Sequence, residues 1–345
     1  MQPLTRRNLN SEVLFMKEII NEFVCKTLPT GNCHAATVLP LPDGTVLSAW
    51  FGGSKEGKTD VDIWYARRTE NGWEEPQRIS YNRNLPHWNP VLFLRKNGDV
   101  CLYFKVGRKI TCWRTFISVS TDGGKTFGTP RELVKGDRSD GRGPVKNKCI
   151  RLSDGRILAP ASNENHGWNC FVDTSFDDGE TWVKGKKIRT EQASPILNTL
   201  NKHTSNLIPM IQPTLWESSN GNVHMLTRTA VGRAYRSDSS DYGETWCQAY
   251  PTDHPNNNSG LDVVKVPDGR LFLISNPVSE NWGERSPLTL CVSEDNGKSW
   301  QTVMTLEEEK IDSEFSYPAI EYLDGKLYIA YTYERLNVAF RVIEL

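Results

Sequence analysis

The chain has 345 residues, of which 37% are hydrophobic and 24% are charged, so it can bury a large core as one repeat domain or as two ordinary domains. Its 41 Lys and Arg residues balance 42 Asp and Glu residues, and the net charge of −1 argues against nucleic acid or a membrane surface as a partner. No apolar run approaches the ~18–20 residues that span a bilayer.

The first residues, Met1 to Arg7, are followed by Asn, Ser and Glu rather than by an apolar segment. We therefore expect no signal peptide and a cytoplasmic protein. The eight cysteines show no CxxC pair and no Cys/His metal spacing, so we expect them to be small core hydrophobes. Phosphate-binding loops and metal-ligand motifs are absent from the sequence, which predicts no cofactor and no metal.

A helical pattern is found only at residues 11–22 and near residues 304–310. The rest of the chain alternates short β-rich runs with turns. Six Asp-Gly or Asn-Gly dipeptides each separate two such runs: Asp43-Gly44, Asn97-Gly98, Asp154-Gly155, Asn220-Gly221, Asp268-Gly269 and Asp324-Gly325. Because Gly and Asn supply the positive φ that a tight hairpin demands, the spacing predicts six hairpins.

A second pattern, Ser-x-Asp-x-Gly-x-Thr-Trp, recurs in step with the hairpins. Its four copies span residues 120–127, 175–182, 239–246 and 293–300, and residues 69–73 hold a shortened fifth. The aromatic positions 73, 127, 182, 246 and 300 are 54, 55, 64 and 54 residues apart, a period typical of a four-stranded propeller blade with its loops. Four equivalent aspartates around a ring cannot all be catalytic, so we interpret each as a turn that caps its own backbone.

These features predict an all-β protein, a six-bladed β-propeller over residues 22–345 after an N-terminal lead of residues 1–21. The final run, Val338 to Ile343, is expected to share a blade with the run near residues 23–27. That closure would remove an exposed sheet edge.

The repeated boxes resemble the Asp-box (BNR) repeats of the sialidase, or neuraminidase, superfamily, over nearly the whole chain. The resemblance implies the propeller fold. It also implies a site in which three arginines hold the substrate carboxylate, with a Tyr nucleophile, a Glu partner and an Asp general acid. Sialidases are an exception to the two-carboxylate scheme of most glycosidases.

Three residues match the family's site. Phe315-Ser316-Tyr317-Pro318-Ala319 looks like the nucleophile segment, with Tyr317 in the Tyr position. Arg228 ends the run that follows Gly221, as the second family arginine does. Arg285 leads through Ser286-Pro287-Leu288-Thr289 into the fourth box, as the third does. Two arginines that converge on a carboxylate form bidentate, charge-assisted bonds.

Three positions depart from the family. His34 stands where the first arginine is expected, and Thr332 stands where the carboxylate that supports this arginine is expected. Losing both members of an ion pair avoids an unpaired buried charge. Gln212, a neutral amide, stands where the Glu partner of the nucleophile is expected, and Glu314 is a candidate substitute base. For the general acid, Glu56 fits the spacing best and Asp60 is second.

Segments at the starts of other blades add candidate substrate contacts. These are Asn89 in blade two, Lys146 and Lys148 in blade three, and Asn258 in blade five. The first residues of inner strands point toward the central funnel of a propeller, although a polar run such as Lys-Asn-Lys is also compatible with an exposed loop.

Three functions fit this set. The first is an exo-acting glycoside hydrolase that releases a terminal carboxylated sugar, such as sialic acid, from small oligosaccharides. The second is a uronate lyase in which His34 and Tyr317 act as base and acid for β-elimination. The third is a non-catalytic carbohydrate-binding propeller. Oligomeric state is not readable from the sequence.

Overall fold

The computed structural model describes residues 16–82, 84–139, 141–164, 167–192 and 207–345. In these residues the chain forms six antiparallel sheets that follow one another along the sequence. The inner strands of adjacent sheets pack against one another around a central axis. The predicted all-β six-bladed propeller is confirmed.

The strands are numbered in chain order, and blade 6 contains both ends of the described chain. Blade 1 contains β2 (Asn32–Pro40), β3 (Val46–Gly53), β4 (Asp62–Thr69), β5 (Gly72–Trp73) and β6 (Gln77–Ile79). Blade 2 contains β7 (His87–Leu94), β8 (Val100–Val106), β9 (Arg114–Ser120) and β10 (Arg131–Glu132), with a 3₁₀ turn at Ile110–Cys112. Blade 3 contains β11 (Ile150–Arg151), β12 (Ile157–Asn163), β13 (Asn169–Ser175) and β14 (Val183–Lys184).

The second half repeats this arrangement. Blade 4 contains β15 (Met210–Ser219), β16 (Asn222–Thr229), β17 (Arg233–Ser239) and β18 (Tyr250–Pro255). Blade 5 contains β19 (Asp262–Lys265), β20 (Leu271–Ser275), β21 (Leu288–Ser293) and β22 (Gln301–Glu307). Blade 6 contains β23 (Phe315–Leu323), β24 (Lys326–Tyr333), β25 (Asn337–Glu344) and β1 (Lys17–Phe23).

The ring closes where β1 pairs antiparallel with β25, from Lys17 opposite Glu344 to Phe23 opposite Ala339. The shared blade is as predicted, but its N-terminal strand begins at Lys17, inside the segment that the sequence assigned to the lead. The helical pattern at residues 11–22 is wrong for residues 17–22, which are strand, and residues 11–15 lie outside the described residues. The helix expected near residues 304–310 is also wrong, because β22 occupies this segment up to Glu307.

Each predicted hairpin contains its glycine with positive φ, between +77° and +96°. Six cysteines are buried as expected, whereas Cys112 and Cys247 are exposed. Among the described residues, none belongs to a helix long and apolar enough to cross a membrane.

The four boxes lie between the third and fourth strands of blades 2 to 5 and form the same turn. In the first, Ser120 Oγ donates to Asp122 Oδ1 (2.7 Å), while the Thr126 N–H and Oγ–H both donate to the Asp122 carboxylate (3.0 and 2.6 Å). These hydrogen bonds lower the pKa of Asp122 to about 2. The other boxes repeat the bonds. The aspartates therefore hold turns, as predicted.

Gly124 in the first box is required by both conformation and space. It has φ of +79°, and a Cβ there would lie 2.5 Å from the methyl carbons of Leu47, which is fully buried in blade 1. We expect Gly124→Ala to destabilise the fold by roughly 2–5 kcal/mol, from left-handed strain plus overpacking. The matched control is Gly123→Ala, at φ +71° with nothing within 4 Å of its Cβ, which should cost about 1–2 kcal/mol. Urea unfolding measures both, and equal losses would contradict the packing argument.

Candidate active site

β-Bulges near the starts of four inner strands turn side chains toward one end of the central axis. Pairing registers shift within β2, β7, β15 and β23. At the shifts, Ala35, Asn89, Gln212 and Tyr317 have φ of +56°, +42°, +53° and +51°. Left-handed φ at non-glycine residues is strained and occurs often at functional sites, where bulges re-aim side chains. Three of the four residues precede proline, which is confined to bulges and edges within sheets.

The bulges open onto a cavity of about 220 Å³. It contains three arginines, two glutamates, one tyrosine, one histidine and four tryptophans. The complete lining is His34, Glu56, Trp88, Asn89, Ile110, Trp113, Glu164, Trp168, Ile211, Gln212, Arg228, Trp282, Arg285, Tyr317 and Arg335.

Arg228 and Tyr317 are in direct contact at the centre of this cavity. Arg228 Nη1 donates to Tyr317 Oη (2.7 Å) and to Gln212 Oε1 (3.1 Å), and Arg228 Nε donates to Asn258 Oδ1 (2.8 Å). The Gln212 amide in turn donates to Tyr317 Oη (3.1 Å). The Arg228 guanidinium lies between the rings of Trp168 and Trp282, 5.6 and 5.5 Å from their centroids. Among the described residues, no carboxylate forms an ion pair with Arg228.

His34 packs against the same tyrosine, with ring centroids 4.1 Å apart. Its Nδ1 lies 3.0 Å from Thr332 Oγ1, so the two residues predicted to replace the arginine and its carboxylate do contact each other. Burial, followed by the charges of Arg335, Arg285, Arg228 and Lys146, lowers the pKa of His34 well below its usual value. The imidazole is therefore neutral at physiological pH.

A second cationic cluster lies beside His34. Arg285 Nη1 donates to Glu314 Oε1 (2.6 Å), Arg335 Nε donates to Glu314 Oε2 (3.0 Å), and Arg335 Nη1 donates to Glu56. Burial would raise the pKa of Glu314, but Arg285 and Arg335 outweigh it and leave this pKa below its usual value. Glu314 is thus an ionised anchor for two guanidinium groups rather than a free base.

The sequence analysis missed Glu164 and Arg335. Glu164 follows β12 and is largely buried, which raises its pKa despite the opposing effects of Arg228 and a hydrogen bond from Trp168. Arg335 lies in the turn between β24 and β25. Neither belongs to a repeated motif. The prolines after Asn89, Gln212 and Tyr317 are the one sequence signal that marks the cavity wall.

The remaining predicted residues lie around or away from the cavity. Asn89 lines it, and Asn258 supports Arg228 from behind. Lys146 is buried beneath Tyr317, where its Nζ donates to Asn147 Oδ1 (2.7 Å), to the Leu261 carbonyl (3.3 Å) and to the Pro318 carbonyl. Lys146 therefore stabilises the segment that contains Tyr317 and Pro318 but does not line the cavity.

Two predicted residues are not brought to this cavity. The Asp60 carboxylate accepts bonds from the N–H and Oγ–H of Ser54 (2.9 and 3.0 Å) and so holds its own loop. Lys148 forms an ion pair with Asp262 (2.9 Å) and lines a separate cavity at the other ends of the inner strands. Within the described ranges, no three His, Cys, Asp or Glu side chains converge as metal ligands.

Comparisons with known proteins agree with this architecture. A family model described as a BNR repeat-like domain matches residues 44–329. A Hadza microbial sialidase is 18% identical over 92% of this chain and 66% of its own, with a TM-score of 0.74. A protein of unknown function from Dyadobacter fermentans is 14% identical over 96% of this chain and 99% of its own (TM-score 0.72). The NanB sialidase from Streptococcus pneumoniae is 13% identical over 91% and 68% (TM-score 0.68).

The chain thus spans about two thirds of the length of these two sialidases. At such identities the likeness concerns the fold alone. A search of curated proteins gives no match.

Proposed function

The chain belongs to the BNR repeat-like domain family, and from that premise we propose that it is an exo-acting glycoside hydrolase for a terminal carboxylated sugar. Sialic acid, the substrate that the names of the sialidase neighbours indicate, is the first candidate. The observation that carries the proposal is the pairing of Arg228 with Tyr317 at 2.7 Å, where the arginine has only neutral hydrogen-bond partners among the described residues.

A buried guanidinium without a counter-ion is costly, and an incoming carboxylate removes that cost. Arg228 is 3% exposed, and the Arg285 guanidinium lies 5.7 Å from the Tyr317 ring centroid. A carboxylate bound by Arg228 and Arg285 therefore lies next to the phenol. In an acidic sugar whose carboxylate is attached to the anomeric carbon, this arrangement brings the reacting carbon to Tyr317.

The size of the cavity favours a single terminal sugar. Its volume of about 220 Å³ is below the ~300–1,000 Å³ typical of pockets that enclose drug-sized ligands. One sugar ring fits this space, whereas an internal segment of a polysaccharide would require an open groove. This size supports the proposal of exo cleavage.

The reaction then needs a nucleophile, a proton acceptor and a proton donor. Tyr317 bonds to the anomeric carbon as the glycosidic bond breaks, and its neutral phenol is not repelled by the substrate carboxylate. We assign acceptance of the phenolic proton to His34, whose ring packs on Tyr317 with centroids 4.1 Å apart, because a substrate anion offsets the surrounding arginines that disfavour the imidazolium. Water then attacks the anomeric carbon and gives its proton to the ionised proton donor, while the phenolic oxygen leaves and regains its proton from His34.

We assign proton donation to Glu164 rather than to Glu56. A general acid must hold its proton before the bond breaks, and the raised pKa of Glu164 favours that form. The Glu56 carboxylate is instead engaged in an ion pair with Arg335.

Glu164→Gln should lower kcat/KM about 10²–10⁴-fold for substrates with a sugar leaving group. The loss should be less than about tenfold for a nitrophenyl glycoside, whose leaving group needs little protonation. Glu164→Gln should also flatten the alkaline limb of the pH–rate profile. Glu56→Gln is the matched control from the same cavity. If the loss of activity depends on the leaving group only in Glu56→Gln, then Glu56 rather than Glu164 is the proton donor.

A second candidate, β-elimination from a uronate, is favoured by one contact. The Tyr317 hydroxyl adjoins the amide of Gln212 rather than a carboxylate. Elimination needs no such carboxylate, because His34 would remove a C–H proton and Tyr317 would protonate the leaving oxygen. Arginines that neutralise the carboxylate acidify that C–H bond.

The test is incubation of the wild-type chain with an α-sialoside and with glycosides of uronic acids, followed by product analysis and ultraviolet absorbance. Release of a free acidic sugar without new absorbance supports hydrolysis. A new near-ultraviolet band supports elimination. Tight binding without turnover would identify a carbohydrate-binding propeller and refute both catalytic assignments.

A further inference from the structure

One carboxylate at the edge of the cavity fixes two guanidinium groups. Glu314 Oε1 accepts a hydrogen bond from Arg285 Nη1 (2.6 Å), and Glu314 Oε2 accepts one from Arg335 Nε (3.0 Å). Ser316 Oγ also donates to Glu314 Oε1 (2.7 Å). One carboxylate therefore holds both guanidinium groups next to each other. The described contacts of Arg335 use Nε and Nη1, which leaves its Nη2 available at the cavity wall.

The backbone holds Arg335 in place at a conformational cost. Glu334 and Arg335 have φ of +52° and +55°, a left-handed conformation that favours glycine or asparagine. The Arg335 carbonyl accepts the Cys33 N–H (2.9 Å), and the Glu334 N–H donates to the Glu314 carbonyl (2.7 Å). The turn is thus held both by the strand of His34 and by the backbone of Glu314, whose carboxylate binds Arg335.

Near Arg335, positions 34 and 332 hold an uncharged pair of residues. His34 and Thr332 form an uncharged pair, and Arg335 contributes the largest of the charge effects that keep His34 neutral. Arg285 and Arg335 form ion pairs with Glu314 and Glu56, whereas Arg228 forms no ion pair among the described residues. The cavity therefore keeps an unpaired guanidinium that suits a substrate with a carboxylate.

We propose that Arg335 is a substrate-binding residue that contacts the acidic group of the sugar together with Arg228 and Arg285. This inference rests on the proposed function. Arg335 supplies, from blade 6, the cation that His34 does not provide in blade 1. Glu314 is its positioning residue.

The test compares Arg335→Met with the wild-type chain by calorimetric titration with a free carboxylated sugar and with its methyl ester. Arg335→Met should weaken binding of the acid about 10–100-fold and the ester by less than about threefold, since a charge-assisted contact is lost only with the acid. The matched control is Arg341→Met. Arg341 lies in blade 6 outside the cavity and also bonds to two glutamates, Glu18 and Glu307, and its loss should leave both affinities unchanged.

Two further variants keep the inference falsifiable. Arg335→Gln retains a donor for Glu314 without the charge, and should lose affinity for the acid as Arg335→Met does, even if Arg335→Met does not fold. Adding His34→Arg and Thr332→Glu to Arg335→Gln creates an Arg–Glu pair between blade 1 and blade 6, and should restore at least about tenfold of the lost affinity.

Equal loss for acid and ester, or no loss, would overturn the role of Arg335. Failure of the wild-type chain to bind any carboxylated sugar would instead overturn the proposed function, so the two failures are distinguishable.

Discussion

Tyr317→Phe is expected to reduce kcat for a carboxylated glycoside at least about 10³-fold while KM changes by less than about fivefold. The phenolic oxygen is the proposed nucleophile, and phenylalanine removes it without changing the ring that packs on His34 at 4.1 Å. The contacts of Arg228 and Gln212 to that oxygen are lost, but Arg228 keeps Asn258 and Gln212 as partners. Tyr317→Phe should therefore still bind the sugar although it no longer cleaves it.

Steady-state kinetics and titration with the substrate measure these two effects separately. The matched control is Tyr331→Phe, because the Tyr331 hydroxyl also accepts a hydrogen bond from an arginine, Arg341 (2.9 Å), in the same blade but away from the cavity. It should leave kcat within about threefold of wild type. Full activity in Tyr317→Phe would exclude nucleophilic catalysis by this residue.

Arg228→Lys is expected to lower kcat/KM about 10²–10⁴-fold, which corresponds to the loss of a buried, hydrogen-bonded charge contact of roughly 3–5 kcal/mol. Lysine keeps the charge but cannot present two parallel N–H donors to a carboxylate. It also cannot stack its head group between Trp168 and Trp282 as the guanidinium does. The loss should appear in both KM and kcat, because Arg228 also touches Tyr317.

Arg156→Lys controls for the cost of disturbing an arginine between two aromatic rings. Arg156 lies 5.0 Å from the ring centroids of both Phe176 and Tyr242, outside the cavity. Its kcat/KM should match that of the wild-type chain. An Arg228→Lys variant with wild-type kinetics would mean that the substrate carboxylate binds elsewhere.

The repeated boxes and hairpins allowed the fold to be predicted from the sequence. Each box and each hairpin glycine reports a local backbone conformation, and local conformations repeated at one period determine a blade. The two helical expectations failed where strands lie at blade edges. β1 and β22 are largely exposed, so their two-residue alternation of polar and apolar residues is weak, and pairing with β25 and β21 decides their conformation.

The central residues of the site were readable because they lie on inner strands in register with recognisable motifs. His34, Gln212, Arg228, Arg285 and Tyr317 all line one cavity, and Thr332 does contact His34. The functional roles of these residues remain predictions.

Glu164, Arg335, Trp113, Trp168 and Trp282 were not found, since they lie outside the strands, in loops and turns whose positions depend on how neighbouring blades pack. Spacing along the chain gives no information about such contacts. The same limit explains Asp60 and Lys148. Each has a suitable residue type near a suitable motif, but local partners, Ser54 and Asp262, hold their side chains elsewhere.

The central claim is that this cavity recognises a carboxylate on the sugar that it cleaves. The most direct measurement is kcat/KM of the wild-type chain for one carboxylated glycoside and for its methyl ester, at low and at moderate salt concentration. The account predicts at least about a 100-fold preference for the acid, because burial protects the contact with Arg228 from salt screening. Equal turnover of acid and ester, or a preference that salt abolishes, would contradict it.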